Sequence, residues 1–106
     1  MSKKSKLIKE FLSYDDGLRM LKTLDRLNPP TLAVSKVSTI KEVSTAMGLG
    51  LKETWEMIEL GMKADLIISY GGLLSKKRVD LSELGSEFSQ CNTADDIKKV
   101  MDHVDD

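Results

Sequence analysis

The run Gly48-Leu49-Gly50 interrupts an otherwise helical stretch, and what flanks it restricts this chain more than any other feature. On its N-terminal side, Ser38-Thr39 opens a helix. Thr39 with Glu42 three residues later fits a capping box, in which each side chain satisfies an amide that the helix start leaves orphaned. Ile40, Val43, Ala46 and Met47 then share one helical face. The two glycines allow a sharp turn without a Cβ penalty, and Leu49 between them is placed to plug the corner. After the turn, Leu51 to Lys63 reads as a second helix. Thr54, Ile58 and Gly61 face the core by spacing, with Met57 and Met62 as further candidates.

A hairpin follows. Leu66, Ile67, Ile68, Ser69 and Tyr70 have strand composition, and Gly71-Gly72 starts a turn. Val79 and Leu81 alternate with Arg78 and Asp80, so one face of that strand is apolar. Leu73 and Leu74 fall in the connection, ahead of the cations Lys76, Lys77 and Arg78. Helix, tight turn, helix and basic hairpin in that order outline a winged helix-turn-helix: a mostly α chain with a small β-hairpin, α+β in class.

Both ends of the chain add helix. In residues 1–27, Leu7, Phe11, Tyr14, Leu18 and Leu21 recur at spacings of three and four, and Met20, Leu24 and Leu27 widen the stripe. Gly17 allows either one kinked helix or a short helix followed by a longer one. Asn28-Pro29-Pro30 ends this region, because proline disfavours helical backbone in the residue before it. Thr31 to Val34 has the composition of a short strand. In residues 93–104, Thr93 precedes Ala94, Ile97, Val100, Met101 and Val104, with Asp95 and Asp96 near the positive end of the helix.

One hundred and six residues make a single domain, 1–106, with residues 38–63 as the helix pair and 66–81 as the hairpin. The net charge of −1 gives no bulk attraction to nucleic acid, so any such affinity must be local. Charge is in fact unevenly placed. Residues 1–27 hold seven cations against four anions, and residues 92–106 five anions against two cations. One cysteine, Cys91, excludes an internal disulfide and fits a reducing, cytoplasmic setting. No apolar run reaches membrane-spanning length, so no membrane partner is expected.

At this point the chain resembles a known family. TIKEVSTAMGLGL, the helix ending in ADLIISY, and KKRVDLSELGSEF are similar to winged-helix transcription regulators of the MarR and archaeal Lrs14-like type. In those proteins the second wing strand runs through a Leu-Ser/Thr-x-x-Gly turn into a helix, matched here by Leu81, Ser82 and Gly85. The resemblance covers about half of the chain. It implies a dimer held by N- and C-terminal helices, recognition helices in successive major grooves of double-stranded DNA, and wings on the flanking backbone. The second helix departs from this pattern, because Glu53, Glu56 and Glu59 repel phosphates where a reading helix offers donors.

The DNA-contact candidates are Lys41, Lys52, Thr54, Lys63, Lys76, Lys77 and Arg78. The homodimer candidates, read from stripes that the central motif leaves unburied, are Phe11, Leu18, Leu21, Ile97, Val100, Met101 and Val104. Lys52 with Glu56 and Glu59 with Lys63 are i,i+4 pairs on the solvated face. Catalysis finds no motif. His103 stands alone, Cys91 has no histidine near it in sequence, and neither glycine pair has the context of a phosphate cradle. No enzyme, cofactor or metal is expected. The alternative to a DNA-binding regulator is a protein-interaction module, docking through an apolar patch of Trp55, Leu60, Leu73 and Leu74 ringed by glutamates. The placement of Trp55 separates the two: buried favours the regulator, exposed beside the glutamates favours docking.

Overall fold

The computed structural model describes residues 3–28, 38–71 and 77–104. The order is α1 (Lys3–Ser13), α2 (Asp15–Leu27), β1 (Ser38–Thr39), α3 (Ile40–Met47), α4 (Leu51–Lys63), β2 (Ile67–Tyr70), β3 (Arg78–Leu81), α5 (Glu83–Ser89) and α6 (Ala94–Met101). The class is α+β. The expected strand at Thr31 to Val34, the turn residue Gly72, and Leu73, Leu74 and Lys76 lie outside the described residues.

The N-terminal helix does break, but at Tyr14 rather than at Gly17. Tyr14 takes extended backbone (φ −77°, ψ 141°) and caps α2, whose first turn carries Asp15 and Asp16. Gly17 serves a different purpose. A Cβ there would stand 2.1 Å from the Phe11 carbonyl oxygen, so the glycine lets α2 close onto the end of α1.

The capping box at α3 forms as expected. The Glu42 amide donates to the Thr39 hydroxyl and the Glu42 carboxylate accepts from the Thr39 amide, each at 3.2 Å. The sequence reading missed a second duty of the same residues. Ser38 and Thr39 pair antiparallel with Val79 and Arg78, so the sheet has three strands in the order β1-β3-β2 rather than two. Gly48 ends α3 in the left-handed region (φ 69°), and Leu49 packs against the core. Ala46, expected in the core, is exposed, while Ile40, Val43 and Met47 are buried. The Glu53 carboxylate accepts the Gly50 amide at 3.0 Å, which ties down the start of α4.

The turn after α4 holds the hairpin to the helices. Asp65 adopts φ 61°, a conformation that Asp tolerates better than most residues. Its carbonyl accepts from the Ser82 hydroxyl at 2.6 Å, and the Leu66 carbonyl accepts from the Ser82 amide at 3.0 Å. Ser82 in turn caps α5 by accepting from the Gly85 amide at 2.9 Å. Gly85 is required by contact: a Cβ would stand 2.0 Å from the Leu66 carbonyl oxygen. At α6, Thr93 and Asp96 form a second capping box.

The core is one cluster drawn from α1 to α5 and from the inner face of the sheet, with Phe11, Phe88, Met20 and Leu66 among its largest members. Asn28 stitches it at a point that no local pattern announces. Its Oδ1 accepts from the Ser38 amide (2.9 Å) and hydroxyl (2.7 Å), and its Nδ2 donates to the Val79 carbonyl (3.1 Å) and Asp80 (3.2 Å). The residue that ends α2 therefore also fixes β1 and β3. Lys22 makes a similar tie, donating to the Ser89 carbonyl (2.9 Å) and Asn92 (3.1 Å) at the end of α5.

Candidate nucleic-acid interface

α4 has two unlike sides. Thr54, Ile58 and Gly61 point inward, and a Cβ on Gly61 would stand 2.5 Å from the Ile67 side chain, so the helix sits tight on β2. The opposite stripe carries Lys52, Glu56, Glu59 and Lys63, all exposed, two cations against two anions. Neither i,i+4 pair on it closes to an ion pair. Among the described residues, ion pairs form between Lys4 and Asp65 at 3.1 Å and between Arg19 and Asp16 at 2.5 Å.

Thr54 is a correction to the DNA-contact set. It is 0 % exposed, and its hydroxyl donates to the Gly50 carbonyl at 2.8 Å, so it can reach no base edge. The other described members of the set do lie at the surface. Lys41 is exposed on α3, Lys52 and Lys63 on α4, and Arg78 on β3. Strand register puts Arg78 between Thr39 and Tyr70 in one row across the sheet. Tyr70 and Ile68 are exposed on that sheet face.

Lys77 and Trp55 meet. The Lys77 ammonium stands 5.7 Å from the Trp55 ring centroid, within cation–π range, and both side chains are half-buried. Trp55 is thus neither in the core nor bare beside the glutamates. Trp55 and Leu60, the described members of the expected patch, do not stand together on α4, and Leu73 and Leu74 lie outside the described residues. Five residues of α-helix turn about 140°, which puts the two on opposite flanks of α4. Leu60 instead lines a groove of about 270 Å³ with Tyr14, Asp16, Glu53, Glu56 and Met57.

The dimer set also divides. Phe11 and Leu21 are 0 % exposed inside the chain's own core and have no surface left to offer a second copy. A stripe at helical spacing shows that a face is buried, not against what, and here α2 packs on α1, α3 and α5. Leu18, Ile97, Val100, Met101 and Val104 are half-buried, and α6 has no fully buried residue. Ile97 and Met101 line a groove of about 570 Å³ between α1 and α6, together with Leu12, which the sequence reading left out. Lys9 stands on the α1 side of this groove, and Lys98 and Asp102 on the α6 side.

Cys91 is buried, its Sγ lies 3.7 Å from the Glu87 carbonyl oxygen, and burial pushes its thiol pKa up, away from the reactive thiolate. His103 is exposed. Among the described residues no group of three or more His, Cys, Asp or Glu is placed to hold a metal ion, and no helix is long and apolar enough to cross a membrane. No family model, curated protein or solved structure matches the chain.

Proposed function

We propose that this chain is a winged helix-turn-helix DNA-binding protein that holds duplex DNA mainly through the wing, with α4 against the groove as a charge-neutral rather than a cationic face. The observation that carries the reading is the sheet order β1-β3-β2, with the helix pair α3–α4 inserted between β1 and β2. That threading, with the Lys77 ammonium 5.7 Å from the Trp55 ring on one flank of α4, supports a reading in which a helix and a wing meet one duplex together. The exposed Lys41, Lys52 and Lys63 add phosphate contacts around it. Glu56 and Glu59 keep base contacts few, so affinity is modest and largely independent of sequence.

A homodimer belongs to the same reading, and the α1–α6 groove supports it. Its apolar floor is open, α1 carries Lys3, Lys4, Lys6 and Lys9 against Glu10, and α6 carries Asp95 and Asp96 in its first turn and Lys98 and Lys99 in its last. A two-fold arrangement sets the basic α1 of one copy against the acidic first turn of α6 in the other. A second function, docking of a protein partner, is favoured by one feature alone: the groove of Tyr14, Met57 and Leu60 rimmed by Asp16, Glu53 and Glu56, with Tyr14 49 % exposed.

A mobility-shift titration on mixed duplex DNA over a salt series tests the regulator reading. Each neutralised phosphate adds about 0.9 to the slope of log affinity against log salt, so two or three wing cations per subunit of a dimer give a slope of roughly −4 to −6. Replacing Lys76, Lys77 and Arg78 by alanine flattens the slope and weakens all sequences alike, and Glu56→Gln with Glu59→Gln strengthens binding. A wing triple variant that binds like the parent, or a parent that binds no duplex at low salt, overturns the reading in favour of docking.

A further inference from the structure

The root of β3 is held twice by one residue. The Lys77 carbonyl oxygen accepts from the Ile40 amide at 2.9 Å, one of the orphan donors at the start of α3. Its ammonium stands 5.7 Å from the ring centroid of Trp55 on α4. Lys77 therefore touches both helices of the pair, one through its backbone and the other through its side chain, one residue before Arg78 opens the strand. Lys41, Lys52 and Lys63 are exposed by comparison, whereas Lys77 is half-buried.

A lysine that grips a phosphate must give up much of its rotamer freedom. A ring face that already holds the ammonium removes part of that cost. The ring takes one side of the ammonium, and its N–H donors remain for an oxygen on the other. We infer that Trp55 is a positioning residue that acts through Lys77, seating its ammonium at the junction of α4 and β3 so that wing and helix meet adjacent phosphates in fixed register. This rests on the DNA-binding reading above. Trp55 is also the chain's one tryptophan, so its emission reports on that seat directly.

The test is a double-mutant cycle in the full chain, read by anisotropy of a labelled mixed-sequence duplex over a salt series, with circular dichroism confirming that each variant is folded. Trp55→Leu is expected to bind about two- to thirtyfold more weakly, the range that cation–π contacts span. Its salt slope is expected to flatten by up to about 0.9 per subunit. Trp55→Phe, which keeps a π face, stays near the parent. Trp55→Leu combined with Lys77→Gln binds no more weakly than Lys77→Gln alone, because the two act on one contact. Duplex DNA shifts the tryptophan emission of the parent and not that of Lys77→Gln. Should Trp55→Leu not fold, Trp55→Met takes its place in the cycle. A Trp55→Leu variant, or the Trp55→Met variant in its place, with the parent's affinity and slope overturns the inference, and so do strictly additive effects, while leaving DNA binding itself intact. A parent that binds no duplex removes the DNA-binding reading and this inference with it.

Discussion

Asn28→Ala is expected to be strongly destabilising for the replacement of a polar side chain, because four hydrogen bonds converge on that side chain. Its Oδ1 is the acceptor for the Ser38 amide and hydroxyl, and Ser38 is 1 % exposed. Truncation strands a buried N–H out of reach of water, at about 1–3 kcal/mol. The two bonds from Nδ2 to Val79 and Asp80 add about 0.5–1.5 kcal/mol each, at the lower end where half-buried Asp80 regains water. The sum is about 2–5 kcal/mol, against a total stability of about 5–15 kcal/mol for a domain of this size. Urea unfolding followed by circular dichroism measures it, with an unchanged m-value showing that the unfolded state is the same. Thermal melts should fall by roughly 8–20 °C. A loss below about 0.5 kcal/mol would refute the reasoning, since it would mean that Ser38 finds another acceptor and that β1 does not depend on the end of α2.

Three further outcomes follow from contacts already described. Gly85→Ala is expected to destabilise by more than Gly48→Ala in the same urea assay. The first drives a Cβ into the Leu66 carbonyl, whereas the second meets open space and costs only the left-handed conformation, about 1 kcal/mol. Asp96 is held below its ordinary value of 3.8 by the Asn92 amide, then by the Thr93 hydroxyl and amide. Because its pKa is depressed on folding, its contribution is present above pH 3.8 and is lost as pH falls through the folded-state value. The protection of α6 amides, taken relative to the unfolded chain at the same pH, should therefore fall below pH 4, and Asp96→Asn should remove that dependence. Cys91, buried and with a raised pKa, should react with iodoacetamide at neutral pH far more slowly than in the urea-unfolded chain.

What the sequence disclosed was local. The α3 capping box and the Gly48 turn are each written within four residues and the inward stripe of α4 within eight, and each formed. What it withheld was the identity of distant partners. Phe11 and Leu21 were assigned to a dimer seam because their periodicity shows a covered face but not whether the chain's own helices or a second copy cover it; here the chain's own core does. A two-residue strand such as Ser38–Thr39 has no period to detect, and its cap signal masked its place in the sheet. The break at Tyr14 was read at Gly17 because a glycine marks either a break or a close approach, and here it marks the approach. For the candidate site, exposure of the lysines was legible. Lys77 over Trp55 was not, since that contact spans 22 positions and belongs to the fold alone.

The two sides of α4 also separate what a lineage can change from what it must keep. Thr54, Ile58 and Gly61 are committed to the interior, whereas Lys52, Glu56, Glu59 and Lys63 carry no packing duty. Single base changes at those four codons can swing the outward charge of the helix by several units while the core experiences nothing. The charge of this face is therefore a heritable variable uncoupled from folding. The present near-neutral stripe is one setting on a dial that selection can turn either way without first repairing the scaffold.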